Sequence, residues 1–458
     1  MTLGCPKNLV DSEGACAEIV RAGHELVVDR SRADVIVVNT CAFIESAREE
    51  SVQAILEAVE EKRRGRCRAV VVIGCLSQRY KQDLIEAEPG IDAVLGIEHA
   101  GLVAETIESV LKGERALDAE SFRGGSSVEW IEHAGRVRST PPWTAYVKIS
   151  DGCDNRCAYC AIPDIRGRFR SRPEELIVEE AKRLAGEGVK ELILVGQDLT
   201  QYGADLDAPM LLPDLLTRLA AIEGPRWIRL MYCYPTKITR DLIDVIAGSD
   251  RIVKYLDMPL QHGDERVLRA MNRRGTPDDY LRVIGELRAA CPEIALRSSF
   301  IVGFPGETRA AFDNLLAFVE TIQFDRVGAF VYSREEGTPA WEMKPRVGAK
   351  TAAARLDALM RLQQRISLDR NRRLVGRTLE ILVESRTEDG AVGRSCRDAP
   401  EIDGVVHITS IPPGIDTWRD RRGIDAAPGE FVNVTITGAG EYDLYSDSAD
   451  SWVRISES

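Results

Sequence analysis

Apolar positions change their period twice along the chain, and each change marks a different kind of structure. From Met1 to about Gly113, short β-branched runs alternate with helical patterns. Asp34-Val35-Ile36-Val37-Val38-Asn39 and Ala69-Val70-Val71-Val72-Ile73-Gly74 are continuous apolar stretches of the kind that forms buried parallel strands. Between them, Ala42 to Lys62 carries apolar residues at helical spacing with a charged opposite face. Such a strand–helix–strand unit predicts a parallel sheet covered by helices. Gly113 to Trp143 loses this periodicity, and Gly124-Gly125-Ser126-Ser127 and Pro141-Pro142 read as a linker.

From about Thr144 to Leu368 the pattern repeats as six strand candidates: Ala145–Ser150, Glu191–Gly196, Trp227–Tyr234, Tyr255–Leu260, Ala295–Val302 and Arg326–Tyr332. Helical patterns such as Pro173–Gly188, Pro277–Ala290 and Glu307–Thr321 separate most of them. Repeated βα units predict a barrel with its site at the carboxyl ends of the strands, and six units rather than eight make it a partial one. After a helical stretch from Thr351 to about Arg373, the last ninety residues alternate with period two at Thr378–Ser385, Ala391–Ser395, Gly404–Ile408 and Phe431–Gly438. Short strands with Gly and Pro turns predict a small β-barrel or sandwich. The fold class is therefore α/β throughout the first two parts, a parallel α/β domain and then a partial (β/α)6 barrel, with a β-module at the end. The expected boundaries are 1–113, a linker 114–138, a core 139–369 and a terminal module 372–446.

Composition narrows the function. The 458 residues suit about three domains at roughly 150 each. With 60 Lys plus Arg against 73 Asp plus Glu, the net charge is −13, which argues against nucleic acid or an anionic membrane as partner and suits a basic one. The longest apolar run, Ala69 to Leu76, is far short of the ~20 residues of a membrane span. Met1-Thr2-Leu3-Gly4-Cys5-Pro6-Lys7-Asn8 shows no secretory signal. Eleven cysteines, an odd number thinly spread, read as thiols of a cytoplasmic protein, some of them metal ligands, rather than a disulfide framework.

Cys153, Cys157 and Cys160 form a C-x3-C-x2-C loop just after the first barrel strand. Thiolates at this spacing can turn inward on one compact metal centre. A cubane [4Fe-4S] cluster held by three ligands keeps one iron open for a substrate or cofactor, whereas tetrahedral zinc would want a fourth ligand, and no His lies nearby. Cys5, Cys41 and Cys75 each stand at or just past the end of a strand predicted in the first part. In an open parallel sheet these ends lie along one edge, where ligands gather. Three thiols from three βα turns can converge there on a second metal site; small buried cysteines capping strands are the other reading. Cys16, Cys67, Cys233, Cys291 and Cys396 follow no such pattern and read as structural or surface thiols. The ladder Arg166-Gly167-Arg168-Phe169-Arg170-Ser171-Arg172 reads as a solvated loop or edge strand ahead of a phosphate contact, and His262 as a packing or hydrogen-bonding residue. Arg334-Glu335-Glu336-Gly337-Thr338-Pro339 falls at the rim of the barrel with no role assigned.

The cysteine loop resembles the radical S-adenosylmethionine superfamily. That resemblance implies S-adenosylmethionine chelated to the open iron, with Tyr159 near the adenine and Gly196-Gln197-Asp198 in the place of the cofactor-amino motif. Ser298 and Gly303, in Ser298-Ser299-Phe300-Ile301-Val302-Gly303-Phe304-Pro305-Gly306-Glu307, would let the backbone approach the adenosine. Leu3-Gly4-Cys5-Pro6-Lys7-Asn8, Asn39-Thr40-Cys41-Ala42-Phe43-Ile44 and Gly74-Cys75-Leu76 sharpen this to the methylthiotransferases, whose N-terminal domain carries a second [4Fe-4S] cluster and whose tail is a TRAM module. Only Met1 and Thr2 precede the Leu-Gly-Cys motif, where that family has a strand, which makes Cys5 the least supported ligand.

Two branches share this chemistry, one acting on an aspartate of ribosomal protein S12 and one on a tRNA adenosine. Pro259-Leu260-Gln261-His262 and Tyr234-Pro235 resemble the ribosomal-protein branch. From Asp369 to Ser458 there are 11 Arg and no Lys against 17 Asp plus Glu, a net −6, which suits a basic ribosomal protein better than tRNA. The resemblance implies methylthiolation of the aspartate β-carbon, two [4Fe-4S] clusters, S-adenosylmethionine and a flavodoxin- or ferredoxin-like electron donor. The alternatives are the tRNA-modifying branch and a two-cluster electron carrier.

Overall fold

The computed structural model describes residues 1–114, 135–207, 210–388, 390–409, 426–447 and 452–455, so the Gly124–Ser127 part of the expected linker lies outside the described residues. The chain divides into two compact units. The first comprises Met1–Leu184, Leu194–Leu211 and Ser333–Glu342; the second comprises Ala185–Ile193, Leu212–Tyr332 and Met343–Ser458.

At the start of the first unit, β1 (Val35–Thr40), β2 (Ala69–Gly74) and β3 (Ala93–Val94) form a parallel sheet in chain order. Successive side chains of a strand point to opposite faces, and here both faces are covered. Val70 and Val72 join Ile36, Val38 and the Ala54, Ile55, Ala58 and Val59 face of the helix Glu45–Arg64. Ala69, Val71 and Ile73 pack instead against Ala15 and Ile19 of the helix Pro6–Arg21 and Val103, Ile107 and Val110 of the helix Val103–Leu111. Double coverage is why these strands read as unbroken apolar runs rather than alternating ones.

Next come β4 (Thr144–Lys148), β5 (Ser150–Asp151), β6 (Arg170–Ser171), β7 (Glu191–Val195), β8 (Trp227–Leu230), β9 (Ile252–Asp257), β10 (Ala295–Val302) and β11 (Arg326–Val331). Six of them form one sheet in chain order, β4-β7-β8-β9-β10-β11, and the pairings β8–β9, β9–β10 and β10–β11 are parallel. Helices including Glu174–Gly186, Pro277–Ala290 and Arg309–Ile322 intervene, as the periodicity predicts. Several boundaries differ from expectation. β8 stops at Leu230 because Tyr232 takes a positive φ of 62°. β9 begins at Ile252 and ends at Asp257, ahead of Pro259, whose nitrogen has no hydrogen to donate to a ladder. Ser150, expected to finish β4, belongs to a separate two-stranded antiparallel ribbon with Ser171.

The second unit ends in β12 (Thr378–Thr387), β13 (Gly390–Ser395), β14 (Val406–Thr409), β15 (Phe431–Thr435), β16 (Gly438–Ala439), β17 (Leu444–Ser446) and β18 (Trp452–Arg454). They make one sheet in the order β16-β17-β14-β13-β12-β15-β18. Ile381, Val383, Ala391, Val406, Ile408, Val432, Val434 and Leu444 form its core. Charged side chains tie this module to the barrel strands of the same unit. The fully buried Glu191 of β7 accepts from Arg229 of β8 at 2.8 Å and Arg394 of β13 at 2.6 Å. Asp325 holds Arg370 at 3.0 Å and Arg397 at 2.5 Å, and Arg326 reaches Asp398 at 2.6 Å. Among the described residues no helix is long and apolar enough to cross a membrane.

Candidate functional site

Both cysteine triplets fall in the first unit. Cys5 precedes the helix Pro6–Arg21 at its N-cap, Cys41 follows β1, and Cys75 follows β2 and opens the short helix Cys75–Arg79. Residues 1–3 run beside β1: Thr2 bridges Asn39 in parallel, the Leu3 N–H donates to the Asn39 carbonyl at 3.0 Å, and the Asn39 N–H donates to the Met1 carbonyl at 2.8 Å. Asn8 adds a side-chain tie, its Nδ2 donating to the carbonyls of Leu3 at 2.8 Å and Thr40 at 2.9 Å. Cys5 is thus held by β1, the strand that Cys41 follows, a support the short sequence before it did not suggest.

Glycine makes this convergence sterically feasible. A Cβ on Gly4 (φ +93°) would lie 2.8 Å from the Cβ and 3.0 Å from the Sγ of Cys41. Gly74, at φ +101°, would meet Asn39 Oδ1 at 2.2 Å and the Thr40 carbonyl oxygen at 2.7 Å. At both places the side chain is missing where a neighbouring cysteine turn closes.

The three thiols share one cation, Arg166, and Cys5 also feels Lys7. Burial pushes the Cys75 thiol up to about 11, with the neighbouring Cys5 and Cys41 adding to the rise and Arg166 opposing it. Burial also raises Cys41, against the N–H of Phe43. At Cys5 burial acts upward too, but the charges of Lys7 and Arg166 and the N–H groups of Asn8 and Lys7 outweigh it and hold the thiol below its ordinary value. No disulfide joins any of the eleven cysteines.

Arg166 corrects part of the reading of the arginine ladder, in which Arg170–Ser171 does form a short strand. Arg168 is exposed, as a solvated loop requires, but Arg166 and Arg172 are buried. Nη1 of Arg166 donates to both carboxylate oxygens of Asp151 at 3.1 Å. Its Nη2 faces Asn8 Oδ1 at 3.0 Å, Asp11 Oδ2 at 3.0 Å and Cys75 Sγ at 3.6 Å. Lys148 completes a box of two cations and two carboxylates by bonding Asp11 and, at 3.1 Å, Asp151. Asp151 stays ionised because Lys148 and Arg166 outweigh its burial and hold its carboxyl well below the usual carboxylate range. Arg172 pairs with the buried Glu180.

The loop bearing Cys153, Cys157 and Cys160 folds back on residues 167–169. The Cys153 N–H donates to the Gly167 carbonyl at 3.2 Å and the Phe169 N–H to Asp154 Oδ1 at 3.2 Å. Gly152 (φ +74°) lets this happen, since a Cβ there would sit 2.0 Å from the Arg168 carbonyl oxygen. Gly152→Ala is therefore expected to destabilise the first unit by at least the ~1–2 kcal/mol of a left-handed residue, and to lower iron uptake by this loop more than by the other triplet. Thermal unfolding and iron analysis check both effects. Cys157 is buried, while Cys153, Cys160 and Tyr159 are half-buried.

Gln197 and Asp198 stand past the end of β7, beside this loop. Asn155 Nδ2 donates to Cys153 Sγ at 3.4 Å and to Asp198 Oδ2 at 2.8 Å. Gln197 Nε2 donates to Asp151 Oδ1 at 3.1 Å, whereas its Oε1 is buried with no hydrogen-bond partner. A buried acceptor without a donor suits a ligand's N–H, and an amino group is what this position is expected to receive. Gly196 has no room for a side chain, because a Cβ would lie 2.4 Å from Ser150 Oγ.

The segment Ser333–Glu342, unassigned from sequence, bears on both triplets. Glu335 is almost fully buried and pairs with Arg48, and with Arg79 at 3.2 Å. Nη1 of Arg79 also donates to the carbonyl of Ala42, the residue after Cys41, at 3.2 Å. Farther along, the Ala340 N–H donates to the carbonyl of Ala158, inside the cysteine loop, at 2.8 Å.

Ser298 and Gly303 belong to the second unit. Ser298 is buried on β10 and its Oγ accepts from the Leu260 N–H at 3.2 Å. Gly303 (φ +78°) packs where a Cβ would lie 2.7 Å from that of Ala352. His262 is fully buried; its Nδ1 accepts from the Asp264 N–H at 3.0 Å and its Nε2 lies 3.5 Å from Glu307 Oε1, a hydrogen-bonding role. Among the described residues no three His, Cys, Asp or Glu side chains stand close enough to share a single metal ion. A four-iron cube takes each thiolate on a different iron, so its ligands need not meet at one point.

Three family matches divide the chain. Residues 147–319 match the radical SAM superfamily, residues 1–96 the uncharacterized protein family UPF0004, and residues 375–448 the TRAM domain. The chain is 46% identical over 452 residues to the ribosomal protein uS12 methylthiotransferase RimO of Desulforamulus reducens, covering 98% of each chain. It is 46% identical to the RimO of Pelotomaculum thermopropionicum and 43% identical to that of Geobacter sulfurreducens, covering 98% of this chain in both cases and 98% and 97% of theirs. Among solved structures, the radical S-adenosylmethionine methyltransferase TsrM from Kitasatospora setae, with tryptophan and a cofactor analogue bound, superposes with a TM-score of 0.51 at 17% identity. That match covers 82% of this chain and 71% of the other, and is a likeness of fold.

Proposed function

We infer from one premise, that this chain belongs to the RimO family of ribosomal protein uS12 methylthiotransferases, that it adds a methylthio group to the β-carbon of an aspartate in ribosomal protein S12. The observation that carries the reading is the pair of thiol triplets in one unit, each with an N–H donor to one of its sulfurs. On this reading Cys153, Cys157 and Cys160 hold the [4Fe-4S] cluster that works with S-adenosylmethionine, and Cys5, Cys41 and Cys75 hold a second one. Together the bound groups supply an adenosyl radical, able to take hydrogen from a carbon with no acidic proton, and the sulfur to be transferred.

The chain's own residues make these sites workable. Deprotonating buried thiols such as Cys41 and Cys75 is costly unless a cation stands nearby, and Arg166 provides one at Cys75. Gln197 Oε1 offers an acceptor to the cofactor's amino group, and Asn155 orients both Cys153 and Asp198. Tyr159, Gly196 and Asp198 would line the cofactor beside the cysteine loop. The division into 1–113, 114–138, 139–369 and 372–446 assigns sulfur supply, linker, radical chemistry and substrate docking in turn. An acidic terminal module suits a basic ribosomal protein. A cytoplasmic setting and a small flavodoxin- or ferredoxin-like electron donor complete the reading.

One competition assay tests it. The anaerobically reconstituted protein is offered an S12 peptide containing the target aspartate together with unmodified tRNA, S-adenosylmethionine, sulfide and a reductant. A methylthio mass gain on the peptide is expected, and a gain on the RNA alone would overturn the substrate.

A further inference from the structure

Two adjacent residues, Gln197 and Asp198, are each tied to a different cysteine triplet. Asp198 accepts from Asn155, which also donates to Cys153. Gln197 donates to Asp151, which accepts from Arg166, which in turn donates to Cys75. Every link in the second chain is 3.6 Å or shorter, and Arg166 and Asp151 are both buried. A purely structural role for Arg166 would be to neutralise Asp11 and Asp151, yet Lys148 already contacts both carboxylates. Arg166 adds a donor at sulfur: its fork spends Nη1 on Asp151 and turns Nη2 toward Asn8, Asp11 and Cys75. A planar guanidinium serves these directions at once, and a point-charge ammonium does not.

We propose that Arg166 is a positioning residue that sets the reduction potential of the cluster on Cys5, Cys41 and Cys75 and anchors Cys75 to the strand end carrying Gln197. The inference rests on the two-cluster reading above. Iron–sulfur potentials follow net charge, hydrogen bonds to sulfur and exposure, and the partners just outside the ligands tune them. A cation donating to a ligand sulfur stabilises the more negative, reduced cluster and so raises its potential. Asn155, a neutral donor to Cys153, does the same more weakly for the other cluster.

The test is a potentiometric titration followed by electron paramagnetic resonance on the full-length protein. To isolate the N-terminal signal, Cys153, Cys157 and Cys160 are replaced together by Ala. In that background R166M is expected to keep its iron and sulfide and to shift the midpoint potential downward. R166K, which retains charge without the fork, is expected to shift it less, and N155A to leave it in place. R166K also guards against misfolding of R166M, since it keeps the charge balance beside Asp11 and Asp151. A cluster retained at the unaltered potential in R166K and R166M would overturn this inference alone. An unsubstituted protein that binds only one cluster would overturn the two-cluster reading and the inference with it.

Discussion

Alanine at Cys157 is expected to abolish reductive cleavage of S-adenosylmethionine, while alanine at Cys41 is expected to spare cleavage and abolish sulfur insertion. Cys157 is the buried member of a loop closed by Gly152 and the Gly167 carbonyl. Removing it leaves Cys153 and Cys160 as the loop's own thiols for a cluster that needs three. Losing a partner outside the ligand set already lowers affinity or activity by about 10–100-fold, so losing a ligand should exceed that range. Cys41 belongs to the other triplet, where its loss is expected to disrupt the proposed second cluster and to leave the 153–160 loop untouched. Release of 5′-deoxyadenosine and methylthio incorporation, measured side by side, separate the two variants. Equal loss of cleavage in both would contradict the division of labour between the triplets.

Alanine at Glu191 is expected to destabilise the second unit by about 3–5 kcal/mol, the range seen when one partner of a buried ion pair is removed. Both Arg229 and Arg394 would lose a carboxylate at sites that water does not reach. Urea unfolding of the variant at pH 7 measures the loss. The same carboxylate predicts a pH dependence. Burial alone would push Glu191 up, but Arg394 and Arg229 outweigh it and hold it below the ordinary glutamate value. Asp325 is held down likewise, by Arg397 and Arg370. A carboxylate depressed in the folded state contributes stability that is complete above its unfolded value, about 4, and is lost as pH falls through the folded one. Wild-type protein should therefore weaken steeply below about pH 4, and Glu191→Gln should be less stable at pH 7 with a shallower fall.

The α/β class with its parallel sheets and the terminal β-module could be read from periodicity because hydrophobic burial is a local signal. Ala69–Gly74 and Ala295–Val302 were bounded correctly, since nothing but packing decides where they lie. Boundaries failed where backbone chemistry overrides packing, as at Tyr232 with its positive φ and at Pro259. The six cysteines of the candidate site were visible because thiols at strand ends are rare and their spacing is informative. Arg166 was not, because a run of alternating arginines looks solvated unless the acidic partners are known. Those partners, Asp11 and Asp151, lie 155 and 15 residues away in sequence. Glu335 was missed for the same reason: nothing near it in sequence announces that it is buried.

That distance along the chain also orders events during synthesis. Arg48 and Glu335 are 287 residues apart, yet they pair within the first unit, and Ser333–Glu342 is part of that unit. At about 5–20 residues per second, the ribosome adds the intervening chain in roughly 15–60 s. For most of that interval the nascent chain carries Cys5, Cys41 and Cys75 before the segment that completes their unit exists. Arg48 and Arg79 then lack the carboxylate they share. Closing a loop of this length precedes the contacts that reward it, so the unit should close slowly and late. Assembly of a complete first unit, and with it durable retention of iron, is thereby placed after the sixth barrel strand has been made.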